Sequence, residues 1–147
     1  MRPISIVNFE RLYLLGLAIG LVNGIISFSS MQELIDSDPA LSKVISGSTF
    51  IILTAGPSFV IALLLWFFIA RRASNVAKWI FVVMFVIGLL MLPSSLARHF
   101  AVSQVSAIVS LGLTVLQAAS IFFLFRADAR AWFVSKGQNT ADPDVFR

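Results

Sequence analysis

Four long stretches without a charged residue constrain this chain more than any other feature of its sequence. They cover residues 12–32, 44–70, 79–97 and 99–125. A transmembrane helix needs about 20 apolar residues to cross a hydrocarbon core about 30 Å thick. A charge at the bilayer centre costs about 2.5–3.5 kcal/mol on insertion scales, which explains why the charged residues fall in the gaps. The sequence therefore predicts a polytopic membrane protein.

The composition favours the same class. Of the 147 residues only 12% are charged and 59% are hydrophobic, and the mean hydropathy is +0.95. A soluble domain has about 25% charged residues. The chain has no cysteine, which excludes disulfides, thiolate metal sites and thiol catalysis. The pI near 10.4 would suggest nucleic acid in a soluble protein, but here we interpret the basic residues as topology signals and expect no nucleic-acid partner.

The predicted fold is all-α, an antiparallel bundle of four transmembrane helices that forms a single domain over residues 1–137. The predicted elements are spans at about 12–30, 44–70, 79–97 and 102–125 and an interfacial helix at about 126–136. We expect Trp132 and Phe133 of the interfacial helix to dip into the lipid interface. The polar residues 138–147 are predicted to form a disordered cytoplasmic tail.

The basic residues are divided unequally between the two predicted sides of the membrane. If both termini share one side, nine of the 11 basic residues fall there, and only Lys43 and Arg98 fall on the other. Lysine and arginine concentrate in the cytoplasmic loops of membrane proteins. We therefore expect both the N-terminus and the C-terminus to be cytoplasmic.

The first span carries a glycine at every fourth position, namely Gly16, Gly20 and Gly24. Lipid tails are as apolar as leucine, so close backbone approach, rather than hydrophobicity, draws membrane helices together. The spacing predicts a helix-packing face. Asn23 next to this face could bond Gln117 of the last span, but their different depths favour a local backbone partner.

The second span contains Gly56 and Pro57 near its middle. Proline removes one backbone hydrogen bond and crowds the preceding turn, so a kink is expected there. Two interpretations remain open, a hinge that lines a cavity and a simple packing kink. Upstream, Asp38 followed by Pro39 is typical of a helix start and predicts that this helix begins outside the bilayer.

The last span carries the most regularly spaced polar residues. They are Ser103, Ser106, Ser110, Thr114, Gln117 and Ser120. Spacings of three and four place these residues on one face of a helix. Either this polar face joins helices through modest hydrogen bonds, or its part from Ser106 to Gln117 lines a polar cavity or pore.

The sequence lacks the residue sets of known membrane chemistries. No charged residue lies deep in a span, which disfavours a proton-coupled exporter and excludes a retinal protein that needs a buried lysine. His99 is the one histidine, so a haem with two histidine ligands cannot form within one chain. No Ser-His-Asp set, zinc-protease motif or P-loop occurs. We therefore expect a protein without enzymatic activity, cofactor or metal.

Two stretches resemble small four-span inner-membrane proteins of unknown function from alphaproteobacteria. They are VLQAASIFFLFRADARAWFVSKG at residues 115–137 and ARRASNVAKW at residues 70–79. The resemblance implies a bacterial inner (plasma) membrane location and four helices. It transfers no functional residue to this chain.

Two functions remain open at this point. The first is a non-enzymatic membrane protein that acts through helix–helix association, either as a homo-oligomer or as an accessory subunit of a membrane complex. Its partners would be the lipid bilayer and a second copy or another membrane protein. The second is a small oligomeric channel or transporter with a polar path along the fourth span.

Overall fold

The computed structural model of the chain describes residues 2–138, and within them it has seven helices and no strand. In chain order the helices are α1 (Ile4–Ile26), α2 (Phe28–Asp36), α3 (Gly47–Ala70), α4 (Asn75–Leu90), α5 (Leu92–Val102), α6 (Gln104–Leu124) and α7 (Ala127–Gln138). The all-α prediction is confirmed for this part of the chain. Apart from its first residue, the predicted tail at 138–147 lies outside the described residues.

Three of the helices, α1, α3 and α6, are long and apolar enough to cross a membrane. Helices α4 and α5 meet the same criteria only together, as a pair bent by 60°. By length and composition the described residues therefore contain three candidate spans, or four if the bent pair is one span. This agrees with the prediction of a multi-pass membrane protein.

The helix boundaries differ from the predicted spans in the first and third apolar runs. The first apolar run is divided at Ser27, where α1 ends and the short helix α2 begins, and α1 itself starts at Ile4, well before the apolar run. The third run is divided at Met91. Helix α4 has 16 residues, or about 24 Å of helix, which is shorter than a bilayer core. Pro93 lies in the first turn of α5, where backbone N–H groups have no partner within the helix. The missing N–H of proline therefore costs no helical hydrogen bond there.

The start of α3 lies further along the chain than its sequence signal predicted. Asp38 does accept a hydrogen bond from the backbone of Ala40 at 2.8 Å, but only turns follow it. Helix α3 instead begins at Gly47, with Ser46 as its N-cap. The prediction of a helix start at Asp38 is wrong because Ser46 provides a second cap nearer to the apolar run.

Most buried apolar side chains lie at one end of the molecule, which we call the packed end. They are Ile6, Phe9, Tyr13, Leu65, Ile69, Ala70, Ala73, Ala77, Phe81, Leu124, Ala129, Trp132 and Phe133. Phe9, Tyr13 and Phe81 stack in tilted and edge-on pairs with ring centroids 5.2 to 6.2 Å apart. Trp132 and Phe133 are 9% and 2% exposed. Both rings pack against protein, so the expectation that they dip into lipid is wrong.

The opposite end, which we call the far end, consists of α2, α5 and the first turns of α3 and α6. Helices α1 and α6 run antiparallel along each other, because Gly16 faces Leu116 near the packed end and Asn23 bonds Ser106 at the far end. Helix α4 begins at the packed end, where Phe81 joins the aromatic cluster. The bent pair α4–α5 therefore leads from the packed end to the far end.

Charged side chains follow the same division. The described basic residues at the packed end are Arg2, Arg11, Arg71, Arg72, Lys78, Arg126 and Arg130. Glu10 forms salt bridges there with Arg2 and Arg71. Lys43 and Arg98 lie at the far end. The helix ends thus place the positive charges where the sequence pattern grouped them.

Candidate functional site

A cavity of about 360 Å³ lies among the helices between the packed end and the far end, and we call it the inner cavity. Its lining includes Ser110, Thr114 and Gln117 of α6. Residues of α1, α3, α4 and α5 complete the wall, most of them apolar. The structure therefore brings the middle of the predicted polar face to a cavity that is surrounded by helices.

Four of the five hydroxyl groups that line the inner cavity donate to backbone carbonyls, and the hydroxyl of Ser110 forms no hydrogen bond within the described residues. Thr114 and Ser58 each donate to the carbonyl four residues earlier in their own helix, at 3.0 and 2.7 Å. Tyr13 donates to the carbonyl of Ala62 at 2.8 Å. These hydroxyls have used their one proton and can only accept from a ligand. Gln117 differs, because its amide forms no hydrogen bond within the described residues.

The two ends of the polar face have other surroundings. Ser106 is buried at the far end, where it accepts from Asn23 at 3.4 Å and lies 3.2 Å from Nδ1 of His99. Ser120 is fully buried and donates to the carbonyl of Leu116 at 2.9 Å. Asn23 therefore pairs with Ser106 across α1 and α6, which neither of the alternatives for Asn23 foresaw.

A larger cavity of about 650 Å³ opens between α1 and α3, with α6 as its floor, and we call it the groove. All three glycines of the predicted packing face line it, and Ala55 and Gly56 line it from α3. No charged residue belongs to its lining. The polar members of the lining are Tyr13, Ser58, Gln117 and Ser120.

The three glycines of α1 differ in what their missing side chains would contact. A Cβ atom on Gly16 would lie 3.2 Å from Leu116, and one on Gly20 would lie 3.7 Å from Leu113. A Cβ atom on Gly24 would have nothing within 4 Å. Gly16 and Gly20 thus lie against α6 of the same chain, whereas Gly24 leaves open space in the groove.

The predicted hinge at Gly56 and Pro57 lies within a continuous helix. Helix α3 extends from Gly47 to Ala70 with Pro57 inside it, and both Gly56 and Pro57 are exposed. A Cβ atom on Gly56 would have nothing within 4 Å. Gly56 therefore widens the groove from the side opposite Gly24.

The inner cavity and the groove adjoin each other. Tyr13, Ser58, Ala62 and Gln117 line both, and the hydrogen bond from Tyr13 to Ala62 ties α1 to α3 at this boundary. The ring of Phe81 meets Tyr13 edge-on at 5.2 Å on the side of the packed end. The aromatic cluster therefore forms the wall of the inner cavity on the side of the packed end.

At the packed end, Lys78 lies in the first turns of α4 and is 7% exposed. Its ammonium nitrogen lies 4.8 Å from the ring centroid of Phe133, 5.2 Å from that of Phe125 and 5.8 Å from that of Trp79. Among the described residues no carboxylate forms a salt bridge with it. Sequence reasoning missed this burial, since lysine followed by tryptophan also fits an exposed membrane anchor.

Asp128 of α7 caps the start of α1. It accepts hydrogen bonds from the backbone N–H of Ser5 at 3.1 Å and from the Ser5 hydroxyl at 2.7 Å. The Ser5 hydroxyl bond is the main cause that holds the pKa of the Asp128 carboxyl below its ordinary value. Pro3, the N-cap position of α1, offers no side-chain cap of its own, so α7 supplies one.

Comparison with protein-family models, with curated proteins and with solved structures gives no significant match to this chain. The resemblance to small four-span inner-membrane proteins therefore stays a prediction. Within residues 2–138 no group of three or more histidine, aspartate or glutamate side chains could hold a metal ion.

Proposed function

We propose that the protein is a non-enzymatic bacterial inner-membrane protein whose α1, α3, bent pair α4–α5 and α6 form an antiparallel bundle of four crossings. Two observations support this proposal. The bent pair leads from the packed end to the far end, as a single crossing must. The basic residues at the packed end favour the cytoplasmic side for that end, and both termini then lie in the cytoplasm.

We further propose that this bundle acts through helix–helix association and that the groove receives a transmembrane helix of a second copy of the chain. The observation that carries this proposal is the small-residue lining of the groove. Gly20 and Gly24 on α1 face Ala55 and Gly56 on α3 across an uncharged opening. Small residues on both walls permit the close backbone approach on which association in lipid depends. A second copy inserts with the same orientation, so its own glycine face lies at the same depth.

Replacement of Gly24 by isoleucine tests the proposal without disturbing the fold of one chain, because no atom lies within 4 Å of the added Cβ. Filling the groove should weaken self-association by about tenfold, which corresponds to about 1.4 kcal/mol of lost packing. Native gels and crosslinking in the membrane measure the oligomer fraction. Gly20 is a less suitable position, since Leu113 of the same chain lies beside it.

Gly112→Ile is the matched control. Gly112 lies on α6, has equally free space around it and belongs to the lining of neither cavity. The control should keep the oligomer while Gly24→Ile loses it. A wild-type protein that is monomeric in its membrane, or a Gly24→Ile variant that assembles as the control does, would contradict self-association. Co-purification of a different membrane protein, lost in Gly24→Ile, would indicate an accessory subunit instead.

The second candidate is a small oligomeric channel or transporter. The observation in its favour is the inner cavity beside Ser110, Thr114 and Gln117, where the amide of Gln117 has no partner among the described residues. Flux of ions and small uncharged solutes into liposomes decides between the candidates. A flux that Gln117→Leu abolishes would favour the transporter, whereas the absence of flux from assembled protein favours the association role.

A further inference from the structure

One cationic side chain and three aromatic rings lie around the ammonium group of Lys78. Arg130 of α7 is close enough for its charge to act on the Lys78 ammonium group. Lys78 also lies in the first turns of α4, and the N-terminal end of a helix carries a partial positive charge. Cation–π contacts offset part of the cost of burying an ammonium group, but they do not neutralise it.

A buried cation normally has a paired anion, because removal of a charge from water is costly. The described residues contain no salt bridge and no side-chain hydrogen bond from Lys78. The ammonium nitrogen nevertheless keeps a small accessible surface, since it is not among the fully enclosed polar atoms without a partner. The ammonium nitrogen is therefore accessible to an anion that approaches from outside.

We propose that Lys78 and Arg130 bind a phosphate group at the packed end. Lysine provides a point charge for phosphate, and arginine provides a planar pair of N–H donors that matches two phosphate oxygens. Arg130 is exposed and can approach a ligand that rests on the surface above Lys78. The chemistry is common to a lipid headgroup and to free phosphate, and the experiment below separates these sources.

The surface next to the site favours the lipid as the source. The outer face of α4 is an open apolar surface with a shallow depression of about 480 Å³, and Val76, Trp79, Ile80 and Val83 line it. Trp79 belongs both to this surface and to the rings around Lys78. A headgroup phosphate at Lys78 would therefore place an acyl chain along α4. Tryptophan at such a position is typical of the membrane interface, where headgroups lie.

The test uses the full-length protein in an uncharged detergent, with thermal unfolding as the readout. Phosphatidylglycerol, phosphatidylcholine and inorganic phosphate are added separately. We expect a saturable rise in melting temperature with phosphatidylglycerol and a much smaller one with the zwitterionic lipid, because stabilisation follows occupancy of the folded state. An equal rise with inorganic phosphate would identify the free anion as the ligand.

Two variants and a control locate the effect. Lys78→Met should remove the response to phosphatidylglycerol and raise the melting temperature without lipid, since it eliminates an uncompensated buried charge. Arg130→Gln changes an exposed residue and removes one charge-assisted contact to the phosphate, so it should weaken lipid binding by about tenfold. Arg72→Gln removes another exposed cation of the packed end and should leave binding unchanged.

The proposal is overturned if no additive raises the melting temperature of the wild-type protein. It is also overturned if both lipids act equally and the response survives in Arg130→Gln. Should Lys78→Met fail to fold, the comparison of Arg130→Gln with Arg72→Gln still decides the matter. Both arginines are exposed and carry the same charge, so only their positions relative to Lys78 differ.

Discussion

The packed end and the groove use apolar sequence in different ways. At the packed end Ile6, Phe9 and Ile69 are 0% exposed, and α7 covers the helix ends. Around the groove Leu21 and Ile25 are 49% and 67% exposed, although they belong to the same helix as Phe9. In lipid, burial has no hydrophobic driving force of its own, so shape decides where helices pack. Interlocking rings stabilise the packed end, whereas small residues leave the groove open.

The largest expected effect is that of Phe9→Ala. Phe9 is fully buried and its ring packs against Tyr13 and Phe81. Its removal should destabilise the protein by about 3 kcal/mol, because the neighbouring rings lose their contacts and a cavity remains. Phe122→Ala is the matched control, since Phe122 is 66% exposed on α6, and it should change stability by less than about 0.5 kcal/mol. Reversible unfolding in mixed micelles measures both, and equal effects would remove the contrast between the two regions.

The second prediction compares two glycines of α3. A Cβ atom on Gly47 would lie 2.6 Å from the backbone oxygen of Gln32, so Gly47→Ala should destabilise the junction of α2 and α3 by about 1–3 kcal/mol. Gly56 has free space, and Gly56→Ala should be neutral or stabilising by up to about 1 kcal/mol because alanine is the better helix former. Thermal unfolding measures both variants. A stable Gly47→Ala protein would mean that the two helices can separate freely.

The third prediction concerns pH and the cap that α7 provides for α1. The folded-state pKa of Asp128 lies below its ordinary value of 3.8, chiefly because of the Ser5 hydroxyl bond. Because the pKa of Asp128 is lower in the folded state than in the unfolded state, its ionised carboxylate stabilises the fold at pH values above the unfolded-state pKa. This stabilisation is lost as the pH falls through the folded-state pKa. The melting temperature should therefore decrease below about pH 4 in the wild-type protein and less steeply in Asp128→Asn. If the melting temperatures of the wild-type protein and of Asp128→Asn decrease equally with falling pH, the hydrogen bonds from Ser5 to Asp128 do not hold α7 against α1.

The smallest expected effect is that of Gln117→Leu. The amide of Gln117 has no hydrogen-bond partner among the described residues, so its loss should leave the melting temperature unchanged or raise it slightly. Ser106→Ala is the comparison. Ser106 accepts a hydrogen bond from Asn23, and the loss of this bond should reduce the stability of the protein by about 0.6 kcal/mol. A strong destabilisation by Gln117→Leu would mean that the amide is bonded within the membrane.

The sequence predicted an all-α, multi-pass membrane protein, because the exclusion of charge from a span acts on each residue separately. It did not predict the divisions at Ser27 and Met91, since both lie within uncharged runs long enough for one helix. The four-residue spacing of the glycines predicted one face of α1. Only the fold shows that Gly16 lies against Leu116, whereas Gly24 borders open space.

The candidate sites, like the fold, could be predicted from the sequence only in part. The polar spacing on α6 predicted which residues share a face, and the structure adds that the face is divided between the inner cavity and two buried ends. The aromatic residues of α7 gave the same sequence signal as an interfacial anchor. The burial of Phe133 against Lys78 depends on a contact between α4 and α7, which are distant in sequence.

The number of crossings is the central claim, and thiol labelling of single-cysteine variants in intact cells tests it most directly. The chain has no cysteine, so Ser42→Cys before α3 and Ser135→Cys in α7 each introduce the one reactive group. With four crossings, an impermeant reagent should label Ser42→Cys in intact cells and Ser135→Cys only after the membrane is opened. Labelling of both in intact cells would mean that α4 and α5 return to the same side, and it would contradict the four-crossing bundle.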